Sequence, residues 1–101
     1  MNDPILTKQW EVVEIQLRQA SELLNAPRLF KLKEKPFKEY QHYKDNGELE
    51  SAMEKLEQLA KEKGCKTGFW RRLKKAAIQM NLESKADEYE LQFQKALNDA
   101  I

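Results

Sequence analysis

Apolar side chains spaced alternately three and four residues apart are the feature that most constrains the fold of this chain. The first quarter carries such a stripe, made of Leu6, Trp10, Val13, Leu17, Ala20 and Leu24. Because an α-helix completes a turn every 3.6 residues, side chains at this spacing share one face of a helix. The stripe therefore predicts a helix that is buried along one side against neighbouring helices.

Two later segments repeat this spacing. One stripe consists of Leu49, Ala52, Met53, Leu56, Leu59 and Ala60, and the other of Leu82, Ala86, Tyr89, Phe93, Ala96, Leu97 and Ala100. The chain has 101 residues, 41% of them hydrophobic, with three glycines and three prolines, which is typical of one globular helical domain. The sequence predicts an all-α fold, a compact single-domain bundle of four to five helices over residues 1–101.

Capping residues and prolines predict where the first helix begins and ends. Asp3 before Pro4 indicates an N-cap followed by a proline at the first helical position, where the missing N–H would have no partner. We expect this helix to end before Pro27, because proline disfavours helical geometry in the preceding residue. Residues 28–35 fit either a helical turn or a brief strand.

The remaining helices are predicted from similar signals. Their expected ranges are 36–45, 48–63, 68–81 and 84–100, with Gly47 and Gly64 after the first two and Thr67 as the N-cap of the third. From Met80 to Leu82 the apolar spacing drops to two residues, which predicts a break near Asn81. One long bent helix over residues 68–100 is the alternative.

Charge is distributed unevenly along the chain, although the formal net charge is only +1. Residues 64–82 carry a net charge of +5 without any acidic residue, whereas residues 45–63 and 83–101 each carry −3. The 68–81 helix is therefore basic and amphipathic between two acidic segments. Such a helix can bind a protein surface, nucleic acid or an anionic membrane. The membrane is the weakest of the three, because Phe69 and Leu73 are needed in the core.

No catalytic, cofactor or metal signature is apparent in the sequence. One His and one Cys cannot supply the ligands of a zinc site, and Glu50, Glu54 and Glu57 are expected to form a solvated helix face rather than a cation site. Cys65 served by His42 is a conceivable nucleophile, but a structural turn cysteine is the favoured interpretation. We therefore expect a non-enzymatic protein. We expect it to be cytoplasmic, because the sequence shows no leader-like or membrane-spanning segment.

The basic helix supplies the candidate binding residues. They are Trp70, Arg71, Arg72, Lys74 and Lys75, which combine aromatic and arginine side chains of the kind that dominate protein interfaces. Trp70 lies at the edge of the apolar face, where it covers either the core or a partner. An equally favoured interpretation is that these cations only neutralise the neighbouring acidic helices.

A nucleic-acid-binding accessory protein is the alternative function. It would use the same basic helix, residues 68–81, together with Lys31, Lys33, Lys35 and Lys38. The sequence pI of about 7.8 is lower than such proteins usually have. The rings of Phe37, Tyr40 and Tyr43, which alternate with some of these lysines, are expected to pack on the core.

Residues 46–56 follow the pattern N-G-E-x-x-x-A-x-x-x-L, and the sequence Phe-Trp-Arg-Arg-Leu comes later, at 69–73. In these features the chain resembles small helical bacterial immunity proteins of the MafI type. The similarity covers about half of the chain. The resemblance implies a non-enzymatic inhibitor that binds and occludes a partner toxin, with opposite charges speeding the encounter.

Overall fold

The computed structural model describes residues 4–25 and 35–99, and the side chains within these ranges from Gln9 onward. Five helices lie in these ranges: α1 (Pro4–Ser21), α2 (Lys35–Asp45), α3 (Leu49–Lys63), α4 (Gly68–Gln79) and α5 (Glu83–Asp99). The described part of the chain contains no β-strand, which confirms the all-α prediction. The predicted N-cap Asp3 and residues 28–34 lie outside the described residues.

Helix α4 is central to the packing. It lies between α1 and α5 and contacts both extensively, while α2 packs along α3, and α3 in turn contacts α1 and α4. The resulting domain is flat, with principal extents of 48 × 32 × 16 Å. Helix α4 nevertheless keeps one side open to solvent, where Arg71, Lys75 and Ile78 are exposed.

The predicted apolar stripes form the core. The α3 stripe is buried along its whole length, as are Val13, Leu17, Ala20 and Leu24 of the first stripe. Phe69, Leu73, Ala76 and Ala77 of α4 are buried as well, and Tyr89 of α5 is completely enclosed. The spacing of apolar residues therefore predicted the buried face of each of these helices.

The ends of two stripes are exceptions. Trp10 is 52% exposed because α4 ends at Gln79, and the indole faces a cavity instead of a helix. Leu97 is 39% exposed, because α5 is longer than its partner α4 and its last turns extend beyond the end of α4. The expectation that these two residues are core was wrong. The side chain of Leu6 and residue Ala100 lie outside the described set.

The backbone makes the same pair of hydrogen bonds at two helix junctions. After α2, Gly47 N–H donates to Lys44 and Glu48 N–H donates to Tyr43; after α4, Asn81 N–H donates to Ile78 and Leu82 N–H donates to Ala77. These are Schellman motifs, and their left-handed residues are Gly47 (φ 73°) and Asn81 (φ 60°). The second motif confirms the predicted break near Asn81 and excludes one continuous helix from 68 to 100.

Helix α1 ends earlier than expected, at Ser21, whose hydroxyl donates to the Arg18 carbonyl at 2.6 Å. Leu24 then forms an isolated antiparallel bridge with Cys65, made by Asn25 N–H to the Gly64 carbonyl and Lys66 N–H to the Leu23 carbonyl. The bridge bonds replace the i to i−4 backbone hydrogen bonds that residues after Ser21 would have made in a longer α1. Thr67 occupies the predicted N-cap position, immediately before α4, but its side chain makes no capping hydrogen bond.

Candidate protein-binding face of α4

The outer side of α4 is the candidate site, and the packing of the helix determines what it presents. Its apolar face is held by α1 and α5, so residues on the opposite side project away from the core. Arg71, Lys75 and Ile78 are exposed there, at positions four and three residues apart that share one helix face. We call these three residues the α4 outer face.

Trp70, the aromatic residue predicted for this site, belongs to the core. Its side chain is 7% exposed and meets the Phe69 ring edge-on, with centroids 5.0 Å apart. The Tyr89 ring lies 6.1 Å away on α5. Of the two roles left open by the sequence, Trp70 therefore covers the core.

Arg72 and Lys74 flank the outer face and are held by the neighbouring helices. Arg72 Nη1 donates to Gln16 Oε1 of α1 at 3.4 Å, and Lys74 Nζ donates to Glu90 Oε2 of α5 at 3.0 Å. Hydrogen bonds from Gln94 and Lys74 lower the pKa of Glu90. For Lys74, the charge-balancing interpretation is therefore confirmed.

Arg71 and Lys75 differ from these flanking cations. Both are exposed, and within residues 9–25 and 35–99 neither has an ion pair or hydrogen bond. Ile78, one turn further along, is 51% exposed. The α4 outer face thus presents two cations without a described partner and one apolar side chain. The helix that carries them is packed against α1 and α5.

A buried carboxylate between α3 and α5 was missed by sequence reasoning. Glu57 is 8% exposed; its Oε1 accepts a 2.7 Å hydrogen bond from Tyr89 Oη, and its Oε2 accepts a 3.0 Å bond from Lys61. Lys85 Nζ lies 3.5 Å from Oε1. Burial would raise the pKa of Glu57, but these donors outweigh it and the pKa is lowered.

The position of Glu57 was detectable in the pattern, since it follows Leu56 and lies one turn after Met53 at the edge of the α3 stripe. Glu50 and Glu54 are exposed, as the solvated-face prediction requires. The expectation was wrong for Glu57, because Tyr89 and two lysines replace its water. Burial also raises the pKa of Tyr89.

Cys65 is half-buried in the bridge to Leu24, and this burial raises the pKa of its thiol to about 11. The thiol is therefore protonated near neutral pH, which is the opposite of an activated nucleophile. His42 instead lies beside Asn46, whose side-chain amide donates to the His42 carbonyl at 2.9 Å.

Metal-binding clusters and membrane-spanning helices are both absent from the described residues. These residues contain no group of three or more His, Cys, Asp or Glu side chains that could hold a metal ion. None of the helices there combines the length and hydropathy needed to cross a bilayer. Comparison of the chain with protein-family models, curated proteins and solved structures gives no match.

Proposed function

We propose that this chain is a non-enzymatic protein-binding module that contacts its partner through the α4 outer face. The observation that carries the proposal is that two exposed cations with no ion pair or hydrogen bond among the described residues lie beside exposed Ile78, on a helix packed between α1 and α5. An exposed ion pair adds little affinity, but charge of one sign on one face speeds the encounter and selects the partner. The complementary surface is acidic around an apolar centre.

The concrete form of this function is immunity-type inhibition of a partner toxin in the bacterial cytoplasm. The resemblance at residues 46–56 and 69–73 supports it, as does the half-buried thiol of Cys65, which suits a reducing compartment. In this form the chain acts by occlusion, and its contribution is a preformed surface instead of a chemical step.

The test uses the full chain and the protein encoded beside its gene, titrated by calorimetry. We expect a stable complex, and we expect the double variant Arg71→Glu/Lys75→Glu to bind about tenfold more weakly or worse. The matched control is Lys38→Glu/Lys63→Glu, which reverses two exposed lysines on α2 and α3. Equal loss in both variants, or none in the first, would show that the partner contacts another surface.

The nucleic-acid alternative is distinguished by its dependence on salt. The described part of its second surface, Lys35 and Lys38 on α2, is exposed, whereas Lys31 and Lys33 lie outside the described residues. A 20-nucleotide single strand and a 20-base-pair duplex serve as probes. Binding that falls log-linearly with salt, by about one unit of slope per phosphate contacted, would favour nucleic acid and overturn the protein-binding proposal.

A further inference from the structure

A second surface feature lies at the end of the bundle, where three helices leave a gap. The first turns of α3, the C-terminal end of α4 and Trp10 of α1 line an open cavity of about 470 Å³. This volume lies within the range of pockets that bind small molecules or single side chains. The cavity is separate from the α4 outer face, although Gln79, next to Ile78, forms part of its wall.

Trp10 forms an aromatic wall of this cavity. A Cβ on Gly47 would lie 3.1 Å from Cζ3 of the indole, so the ring rests directly against the glycine backbone. More than half of the side chain is nevertheless exposed, at 52%. Glycine adopts the left-handed φ of 73° at this position without strain, and its lack of a side chain leaves room for the indole against the junction.

The charges around the cavity have one sign. The charged residues among its described lining are Glu48 and Glu50, on the junction and first turn of α3. Helix ends carry about half a charge each, and here the positive end of α3 opposes the negative end of α4. The two carboxylates therefore determine the electrostatic character of the cavity, which is negative.

We propose that this cavity binds an organic cation, an alkylammonium or guanidinium group held between the Trp10 ring and the carboxylates of Glu48 and Glu50. An aromatic face attracts a cation within about 6 Å, most strongly when the aromatic residue is tryptophan. Two carboxylates beside an aromatic ring suit such a group better than a metal ion, because the described residues contain no group of three or more His, Cys, Asp or Glu side chains that could hold one. The cation comes either from a free amine or from a lysine or arginine of a partner protein.

The two tryptophans of the chain provide an internal control for the test. In ¹H–¹⁵N spectra each indole gives one signal, which Trp10→Phe assigns, and Trp70 in the core reports any change of the whole fold. Titration with n-butylammonium should shift the Trp10 signal saturably, with a Kd of about 1–20 mM, and leave Trp70 unchanged. The uncharged probe 1-butanol should cause much less change. Equal shifts with both probes, or no saturation, would overturn the proposal.

Charge-matched variants complete the experiment. Glu48→Gln/Glu50→Gln should weaken binding of n-butylammonium at least fivefold, whereas Glu62→Gln/Asp87→Asn, which removes two exposed carboxylates elsewhere, should not. If the two double variants weakened binding equally, the effect would depend only on the net charge of the protein, and the proposed site would be overturned. Nα-acetyl-lysine N-methylamide distinguishes the sources: affinity equal to that of n-butylammonium indicates a partner's side chain, and tenfold weaker binding indicates a free amine.

Discussion

At the scale of single residues, Glu57 and Tyr89 show how a buried charge is accommodated in a small core. Tyr89 is fully enclosed, and its hydroxyl has Glu57 as a hydrogen-bond partner at 2.7 Å. Lys61 and Lys85 complete the surroundings of the carboxylate from the solvent side. The bond connects α3 to α5, two helices that otherwise pack mainly on other elements.

We expect Tyr89→Phe to lower the free energy of unfolding by about 1–3 kcal/mol, because a buried carboxylate loses its shortest hydrogen bond while the ring remains. Urea denaturation at pH 7 measures the change. Tyr43→Phe is the matched control: Tyr43 is partly buried, and no hydrogen bond to its hydroxyl occurs among the described residues. A loss that is equal in both variants would remove the special role of Tyr89.

The same measurement at lower pH has a definite sign. The pKa of Glu57 is lowered in the folded protein, so its contribution to stability is complete above the unfolded value of 4.5 and is lost as the pH falls through the folded value. The cost of Tyr89→Phe should therefore be complete at pH 7 and shrink as the pH falls below 4.5. A cost that is constant over this range would indicate lost packing instead of a lost bond to the carboxylate.

At the scale of helices and junctions, the sequence predicted most boundaries because each depended on a local signal. Gly47 and Gly64 follow α2 and α3, and Asn81 follows α4 where the apolar spacing breaks; all three have positive φ. The end of α1 could not be predicted this way. It depends on the bridge between Leu24 and Cys65, two residues far apart in the sequence.

Gly47, which lies just before α3, and Gly68, the first residue of α4, offer a matched test of junction geometry. Gly47→Ala should cost about 1–2 kcal/mol, because a Cβ is strained at φ 73° and would lie 3.1 Å from the Trp10 ring. Gly68→Ala should be neutral or stabilising by up to about 1 kcal/mol, since Gly68 begins α4 and its Cβ would meet Leu23 at 3.5 Å. Thermal unfolding compares them, and equal Tm values would contradict the conformational requirement at Gly47.

At the scale of the whole molecule, the candidate site was only partly predictable. The helical spacing places Arg71, Lys74, Lys75 and Ile78 opposite the core. The structure exposes all of them except Lys74, which is partly buried in its ion pair with Glu90. The spacing left Trp70 undecided, because an edge residue is covered or exposed according to the neighbouring helix, here α5 with Tyr89. The cavity beside Trp10 was also missed, since it arises where three helices end at different levels.

The flat shape of the domain leads to a last prediction, on how stability is distributed between its centre and its ends. Leu17 is fully buried between helices, and Leu97 is 39% exposed, although both lie on predicted apolar stripes. We expect Leu17→Ala to cost about 2–5 kcal/mol and Leu97→Ala less than about 1 kcal/mol. Urea midpoints at constant m-value measure the two losses.

Similar losses would mean that the last turns of α5 are covered in solution, for example by a second copy of the chain. That outcome would make the measured cost of Leu97→Ala depend on protein concentration, whereas the cost of Leu17→Ala in a monomer does not.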